Sequence, residues 1–476
     1  EKYIKHSISG SDTPNDKKDL KLFLLLTNKN NEITSNILCK ELNCTISSLH
    51  TLKSRLYQKI TEALTSDKHI TNTEVFDKRD IISFTLRKKL LFFRISLRSL
   101  NQEKTETLFK VLGEIVDTAR EYELYDVLTE ALTEKKYFKG IRAGIKEFEQ
   151  INDEIDFFNY NSKAVFFAAD SYYRLVLNNH FIKSFSHKEL DKYILSSINQ
   201  MEIDYKRTKS QQVNYYLHIL YFALCEREKK YLEAISYCNK LISLLKKSKV
   251  IYRKERMGFL LDNISQFKTF IGNYEEAAID AKKAQGYYIE NSLNFIVSKQ
   301  QELYAYMCDN NEQQALRCLE KLLNHSLIDT GEFRKSKYIY YQSCVLFISK
   351  KYKEALSLLK MSMEIEKDKT RWNISLRILN IMLFIELEKI DEAGRSLESL
   401  RKHMERQVKE EEVKLRDILI VKLLRELEKD GFEFQGKNTI ISKMLNELSE
   451  KDTPVSWEHY SAELVPFHKW LERRKK

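Results

Sequence analysis

In the stretch from 46 to 60 the apolar residues Leu49, Leu52 and Leu56 fall three and four positions apart, the spacing of one buried helix face. That register turns Ser47, His50, Thr51, Ser54, Arg55 and Gln58 to the opposite side, with Lys53 and Lys59 on the flanks. Just upstream, Leu38, Leu42, Cys44 and Ile46 continue the apolar set, and Cys39 offers a small residue where two helices cross. Asn43 stands at the turn, where it tolerates positive φ better than most residues, and Thr34 and Thr45 are placed to cap the helices. With "KKDLKLFLLLTN" as a preceding helix, the pattern predicts a three-helix module over 15–75 and a basic, aromatic linking helix over 76–103.

Farther along, a second pattern repeats. "FIGNYEEAAIDAKKAQGYY" at 270–288 sets Gly272, Tyr274, Ala277, Ala281 and Ala284 at the spacing of a helical hairpin, in which two helices approach closely only through small residues. The same signature returns with Tyr231 and Ala234, with Ala315, with Tyr352 and Ala355, and with Ala393. The pattern predicts helical repeats over 211–450, looser hairpins over 104–210, and a capping helix over 453–476 in which Trp457, Leu464, Phe467, Trp470 and Leu471 pack back on the last pair.

Composition strengthens this all-α reading. The only prolines are Pro14, Pro454 and Pro466, and there are eleven glycines in 476 residues, so helix breakers are nearly absent from the interior. Residues 1–100 carry 18 basic and 11 acidic side chains, a surplus of seven out of the whole chain's +11. Most of the positive excess therefore sits in the fifth of the chain that includes the three-helix module and its linking helix, where a phosphate backbone would be met. The seven cysteines, without a CxxC pair, read as reduced core thiols of a cytoplasmic protein. No apolar run is long enough to span a membrane, so no membrane partner is expected. The chain begins with Glu, and its true N-terminus is expected to lie upstream.

Candidate chemistry is sparse. The sequence has no HExxH, no GxxxxGK[ST], no GxGxxG and no serine between glycines, and its histidines lack metal-ligand spacing. The expectation is a protein that is not an enzyme and needs neither cofactor nor metal.

The residues "ITSNILCKELNCTISSLHTLKSRL" resemble the terminal helix-turn-helix of sigma factors and bacterial response regulators. The hairpin signature resembles the tetratricopeptide family, which implies a right-handed α-solenoid of helical hairpins following a small helix-turn-helix-like domain. Repeats of that family bind peptides or proteins through the first helix of each pair. By offset from Ala234, Ala277, Ala315 and Ala355, Tyr216, Arg227, Asp262, Gln266, Gln300, Tyr304 and Tyr340 are expected in that groove. Two functions stay open. One is an interaction scaffold within a larger assembly. The other resembles bacterial transcription regulators that join a helix-turn-helix to such repeats, in which Ser47, His50, Thr51, Lys53, Ser54, Arg55 and Lys59 would meet duplex DNA. A homo-oligomer is compatible with either.

Overall fold

The computed structural model describes residues 14–27, 34–66, 76–99, 105–180, 187–329, 332–361, 372–408, 414–434 and 439–474. Ile33, the 67–75 end of the N-terminal module, 100–104, the acidic run 409–413 and Lys475–Lys476 lie outside them. Every regular element among the described residues is helical. The chain divides into two compact units, one formed by residues up to Asp170 with 201–214 and 248–252, the other by the remainder.

In the first unit, α1 (Pro14–Thr27), α2 (Ser35–Leu42) and α3 (Ile46–Leu64) close on Leu22, Phe23, Leu38, Leu42, Leu49, Leu52 and Leu56. Asn43 adopts φ +48°, and the N–H groups of Asn43 and Cys44 return to the carbonyls of Lys40 and Cys39, which ends α2. Thr45 caps α3 by accepting from Ser48 N at 3.2 Å, whereas Thr34 makes no side-chain capping bond. Ile46, expected in the core, is 57% exposed. It is the first residue of α3, so its side chain tilts back over the preceding turn and away from the face that Leu49 and Leu52 bury.

The linking helix α4 (Lys78–Ser99) packs through Leu86, Leu90 and Phe93 against α5 (Thr105–Glu121), which forms a hairpin with α6 (Tyr125–Ala143). Glu123 at that turn is buried, and its carboxylate accepts from Ser210 Oγ at 2.7 Å and Gln211 N at 2.7 Å. A carboxylate is favoured there because Gln211 opens a helix whose first N–H groups have no intrahelical partner. Helices α7 (Ile145–His180), α8 (His187–Thr208) and α9 (Gln211–Arg227) follow, each divided between the two units.

The second unit holds the repeats. After the Tyr215–Arg227 part of α9 come α10 (Tyr231–Lys247), α11 (Lys254–Phe270), α12 (Tyr274–Gln285), α13 (Leu293–Cys308), α14 (Glu312–Leu323) and the single turn α15 (Ser326–Asp329). They are followed by α16 (Glu332–Ile348), α17 (Tyr352–Met361), α18 (Trp372–Glu386), α19 (Ile390–Val408), α20 (Leu415–Lys429), α21 (Thr439–Ser449) and α22 (Phe467–Arg474). From α10 onward helices pack on their chain neighbours in succession, and α11 and α16 also reach the first helix of the following hairpin, α13 and α18. This is a stack of helical hairpins.

One turn recurs at every hairpin of the predicted register. Lys229, Gly272, Asn310, Lys350 and Glu388 all have positive φ, each five residues before one of Ala234, Ala277, Ala315, Ala355 and Ala393. In each, the N–H of the next residue returns to a carbonyl five back, as Lys230 N to Cys225 O and Lys389 N to Phe384 O, which satisfies carbonyls the helix end leaves over. All five alanines are at most 1% exposed. The capping geometry thus fixes where the second helix starts, and the alanine one turn later lets it approach the first.

The expected capping helix differs from its sequence reading. Among its described residues only Phe467–Arg474 is helical, and residues 453–466 run without regular structure. Pro454 and Pro466 lack the backbone N–H that a helix interior requires.

Candidate functional site

Residues 453–466 do not simply cover the end of the array. They run back across the first helices of successive hairpins, and His459, Tyr460, Ala462 and Glu463 meet side chains that those helices present. The Tyr460 ring lies 4.4 Å from that of Tyr304 on α13 and 5.7 Å, edge-on, from Phe270 on α11. The Tyr304 hydroxyl accepts from Tyr460 N at 3.2 Å and pairs with His459 Nδ1 at 3.2 Å. Tyr340 on α16 donates to the Ala462 carbonyl at 2.9 Å. Before the segment, Asp452 forms an ion pair with Lys229.

Arg416 on α20 is the electrostatic centre. It is 5% exposed, and its guanidinium spends all five N–H donors. Nε and Nη2 donate to the two Glu463 oxygens at 2.5 and 2.9 Å, Nη1 donates to the carbonyls of Leu448 and Val455 at 3.0 and 2.6 Å, and Nη2 also reaches His468 Nδ1 at 3.0 Å. Glu463 in turn accepts from Phe467 N at 2.7 Å, so one carboxylate neutralises the arginine and caps α22. A buried charge with every hydrogen bond made is tolerated; the same arginine without its carboxylate would not be.

Burial and the cation beside it pull the His468 imidazole down to about 4, and burial with Lys469 does the same to His459. Asp417, next to Glu463, is pushed up to about 6, chiefly by burial. Cavities flank the segment. One of about 510 Å³ is lined by Trp372, Lys414, Arg416, Asp417, Ser456 and His459, and one of about 410 Å³ by Glu386, Tyr352, Trp457, Pro466, Lys469 and Trp470.

Of the seven expected groove residues, Tyr304 and Tyr340 meet this segment and the other five serve the array itself. Asp262 is buried, accepts from Tyr288 at 2.9 Å and is raised to about 7 by burial, so it is an interior group instead of a contact surface. Gln266 donates to Glu226 at 3.3 Å, and Gln300 accepts from Lys337 and Tyr338 at 2.9 and 3.1 Å, which ties neighbouring hairpins together. Arg227 is bonded to Asp191 at 2.5 Å, and Tyr216 packs 5.8 Å from Tyr172. Sequence reasoning missed Arg416, His459, Tyr460 and Glu463. The available signal was Pro454 and Pro466, the only prolines after Pro14, bracketing a stretch that still carries Trp and Tyr.

On α3, Ser47, His50, Thr51 and Ser54 are exposed and Lys53 is half-buried. Arg55 and Lys59, expected on the outward face and its flank, turn inward. Arg55 Nε and Nη2 and Lys59 Nζ all bind Asp19 of α1, at 2.7–3.0 Å, and that carboxylate is fully buried. A desolvated carboxylate demands cations, and these two lie one turn apart beside it.

Cys225, Cys238, Cys308, Cys318 and Cys344 are free thiols raised by burial, the state of packing groups, not of nucleophiles. Among the described residues no cluster of His, Cys, Asp or Glu is suited to a metal ion, and no helix is long and apolar enough to cross a membrane.

No family model matches the chain, and no curated protein does. Solved structures similar to it include the apo form of RapI, at 14% identity over 76% of this chain and 86% of that one, with a TM-score of 0.46. A tetratricopeptide repeat protein from Parabacteroides merdae matches at 14% identity over 60% of this chain and 98% of that one, with a TM-score of 0.40. A signal transduction ATPase with a tetratricopeptide repeat sensor from Pyrococcus horikoshii matches at 12% identity, covering 90% of this chain and 64% of that one, with a TM-score of 0.43.

Proposed function

We propose that the chain is a non-enzymatic interaction scaffold whose repeat array grips an extended stretch of polypeptide along the first helices of its hairpins. The observation that carries this reading is that the array already holds one: residues 453–466 lie there, bound through Tyr304, Tyr340 and Arg416. Aromatic anchors with few rotatable bonds and a fully bonded arginine are the groups that dominate peptide and protein interfaces. The test is affinity capture from the native source with the full chain as bait, followed by cross-linking and mass spectrometry. A captured protein cross-linked to lysines near the site, such as Lys337 and Lys469, is the expected outcome; cross-links confined to α1–α3 would place the interface there instead.

A second reading, contact with duplex DNA through α3, draws support from the exposed polar row of Ser47, His50, Thr51 and Ser54. The engagement of Arg55 and Lys59 by Asp19 leaves that row with Lys53 as its nearby cation, which weakens the phosphate term. Titration of the full chain against a random duplex pool at two salt concentrations separates the readings. Retention that falls steeply with salt would favour DNA; no retention at low salt would remove it.

A further inference from the structure

The segment that fills the array also describes what could replace it. Building on the scaffold reading, we infer that the array's partner is an extended peptide segment carrying an aromatic residue and, three positions later, a carboxylate, and that it binds by displacing residues 453–466 of this chain.

The sockets belong to the helices. Phe270 and Tyr304 form the aromatic one, and Arg416 with the Leu448 carbonyl forms the anionic one; Tyr460 and Glu463 are what the chain inserts into them. The anionic socket enforces selectivity. Once Glu463 leaves, Arg416 loses its hydrogen-bonded counter-charge, so a replacement lacking a carboxylate at that spacing is penalised, whereas one that has it restores the paired guanidinium–carboxylate bonds.

The segment is held as well by Tyr340 at the Ala462 carbonyl, by Tyr304 at Tyr460 N and by buried Leu464. It forms neither helix nor strand, so its exchange breaks no ladder of backbone hydrogen bonds. Tyr460 sits at φ +61°, a left-handed conformation that a non-glycine side chain adopts at a cost. The segment is tethered on both sides. Upstream α21 is buried through Ile441, Leu445 and Leu448, and downstream α22 through Phe467, Trp470 and Leu471. A free peptide is not bound to follow the same backbone path, while the tethered one enjoys a high effective concentration. The wild-type chain therefore resists exchange, and weakening the tethered copy should open the site.

The probe is a fluorescently labelled synthetic peptide of residues 452–466, DTPVSWEHYSAELVP, titrated by anisotropy against the full chain and against full-length Tyr460→Ser/Glu463→Gln. The variant is expected to bind the probe at least about tenfold more tightly than wild type, because its own segment competes less well. Replacing the probe's Tyr or Glu in the same way should cost about tenfold in turn. The single Glu463→Gln chain, which keeps one oxygen for Arg416, serves if the double variant does not fold, with the same order at smaller amplitude. Equal probe binding by wild type and folded variants, or indifference to the probe's Tyr and Glu, overturns the inference. Capture of a native partner alongside an indifferent probe would overturn it while sparing the scaffold reading. Probe exchange as expected, with no partner captured, would uphold the socket chemistry and count against the scaffold reading alone.

Discussion

Five residues with positive φ, one per hairpin, carry much of the register of the array, and only two of them are of types that favour the conformation. Gly272 and Asn310 suit it; Lys229, Lys350 and Glu388 do not, since a Cβ crowds the following carbonyl there. The position was thus legible from its distance to the repeated alanines and not from residue type. Glu388 is exposed, so Glu388→Gly should relieve strain and raise stability by about 0.5–1 kcal/mol, whereas Gly272→Ala should lower it by about 1 kcal/mol. Denaturant titrations of the two variants check this, and shifts of the same sign would contradict the shared turn. Gly258 answers to a different constraint. A Cβ there would come within 2.5 Å of the Tyr288 ring, so this glycine exists to let the ring lie flat on α11, where its hydroxyl reaches Asp262.

Among the elements, the departure from expectation is the C-terminal segment. Its apolar residues Leu464, Phe467, Trp470 and Leu471 are buried as the sequence suggested, but Tyr460 and Glu463 carry the chain back along the array instead of across its end. Two neutral imidazoles make its docking sensitive to acid. Both histidines are depressed in the folded protein to about 4, below the ordinary value of 6.5, so the folded state binds fewer protons than the unfolded one. Their contribution is present above about pH 6.5 and is lost as pH falls toward 4. Hydrogen exchange at the backbone amides of 453–466 should accelerate, relative to α11–α14, as pH is lowered through that window after correction for intrinsic rates. His468→Gln, which keeps an acceptor toward Arg416 and cannot be protonated, should flatten the dependence. An unchanged profile in that variant would place the acid sensitivity elsewhere.

Across the molecule, stability of the repeat unit is built from one hairpin leaning on the next, so a defect at a helix crossing should be felt beyond its own turn. Ala277 and Ala278 pack against Ala305 of the following hairpin, and Ala277 is fully buried. Ala277→Arg should cost about 3 kcal/mol or more, while Glu275→Arg, exposed on the same helix, should cost less than about 0.5 kcal/mol. Thermal melts of the two full-length variants check the difference, and equal tolerance would remove the register.

By itself the sequence determined the helical class, the hairpin register and the core of the three-helix module, because these follow from local spacing. A buried face repeats at three and four residues, a close crossing needs alanine, and a helix end needs a turn. Tertiary structure alone decided which polar groups meet. Asp19 draws in Arg55 and Lys59 from 36 and 40 residues away, and Arg416 finds Glu463 at a separation of 47. Nothing in local periodicity marks such partners, since a charged residue on a helix looks the same in sequence whether it faces water or a buried counter-charge. Pairing is set by desolvation, which exists only once distant elements have packed.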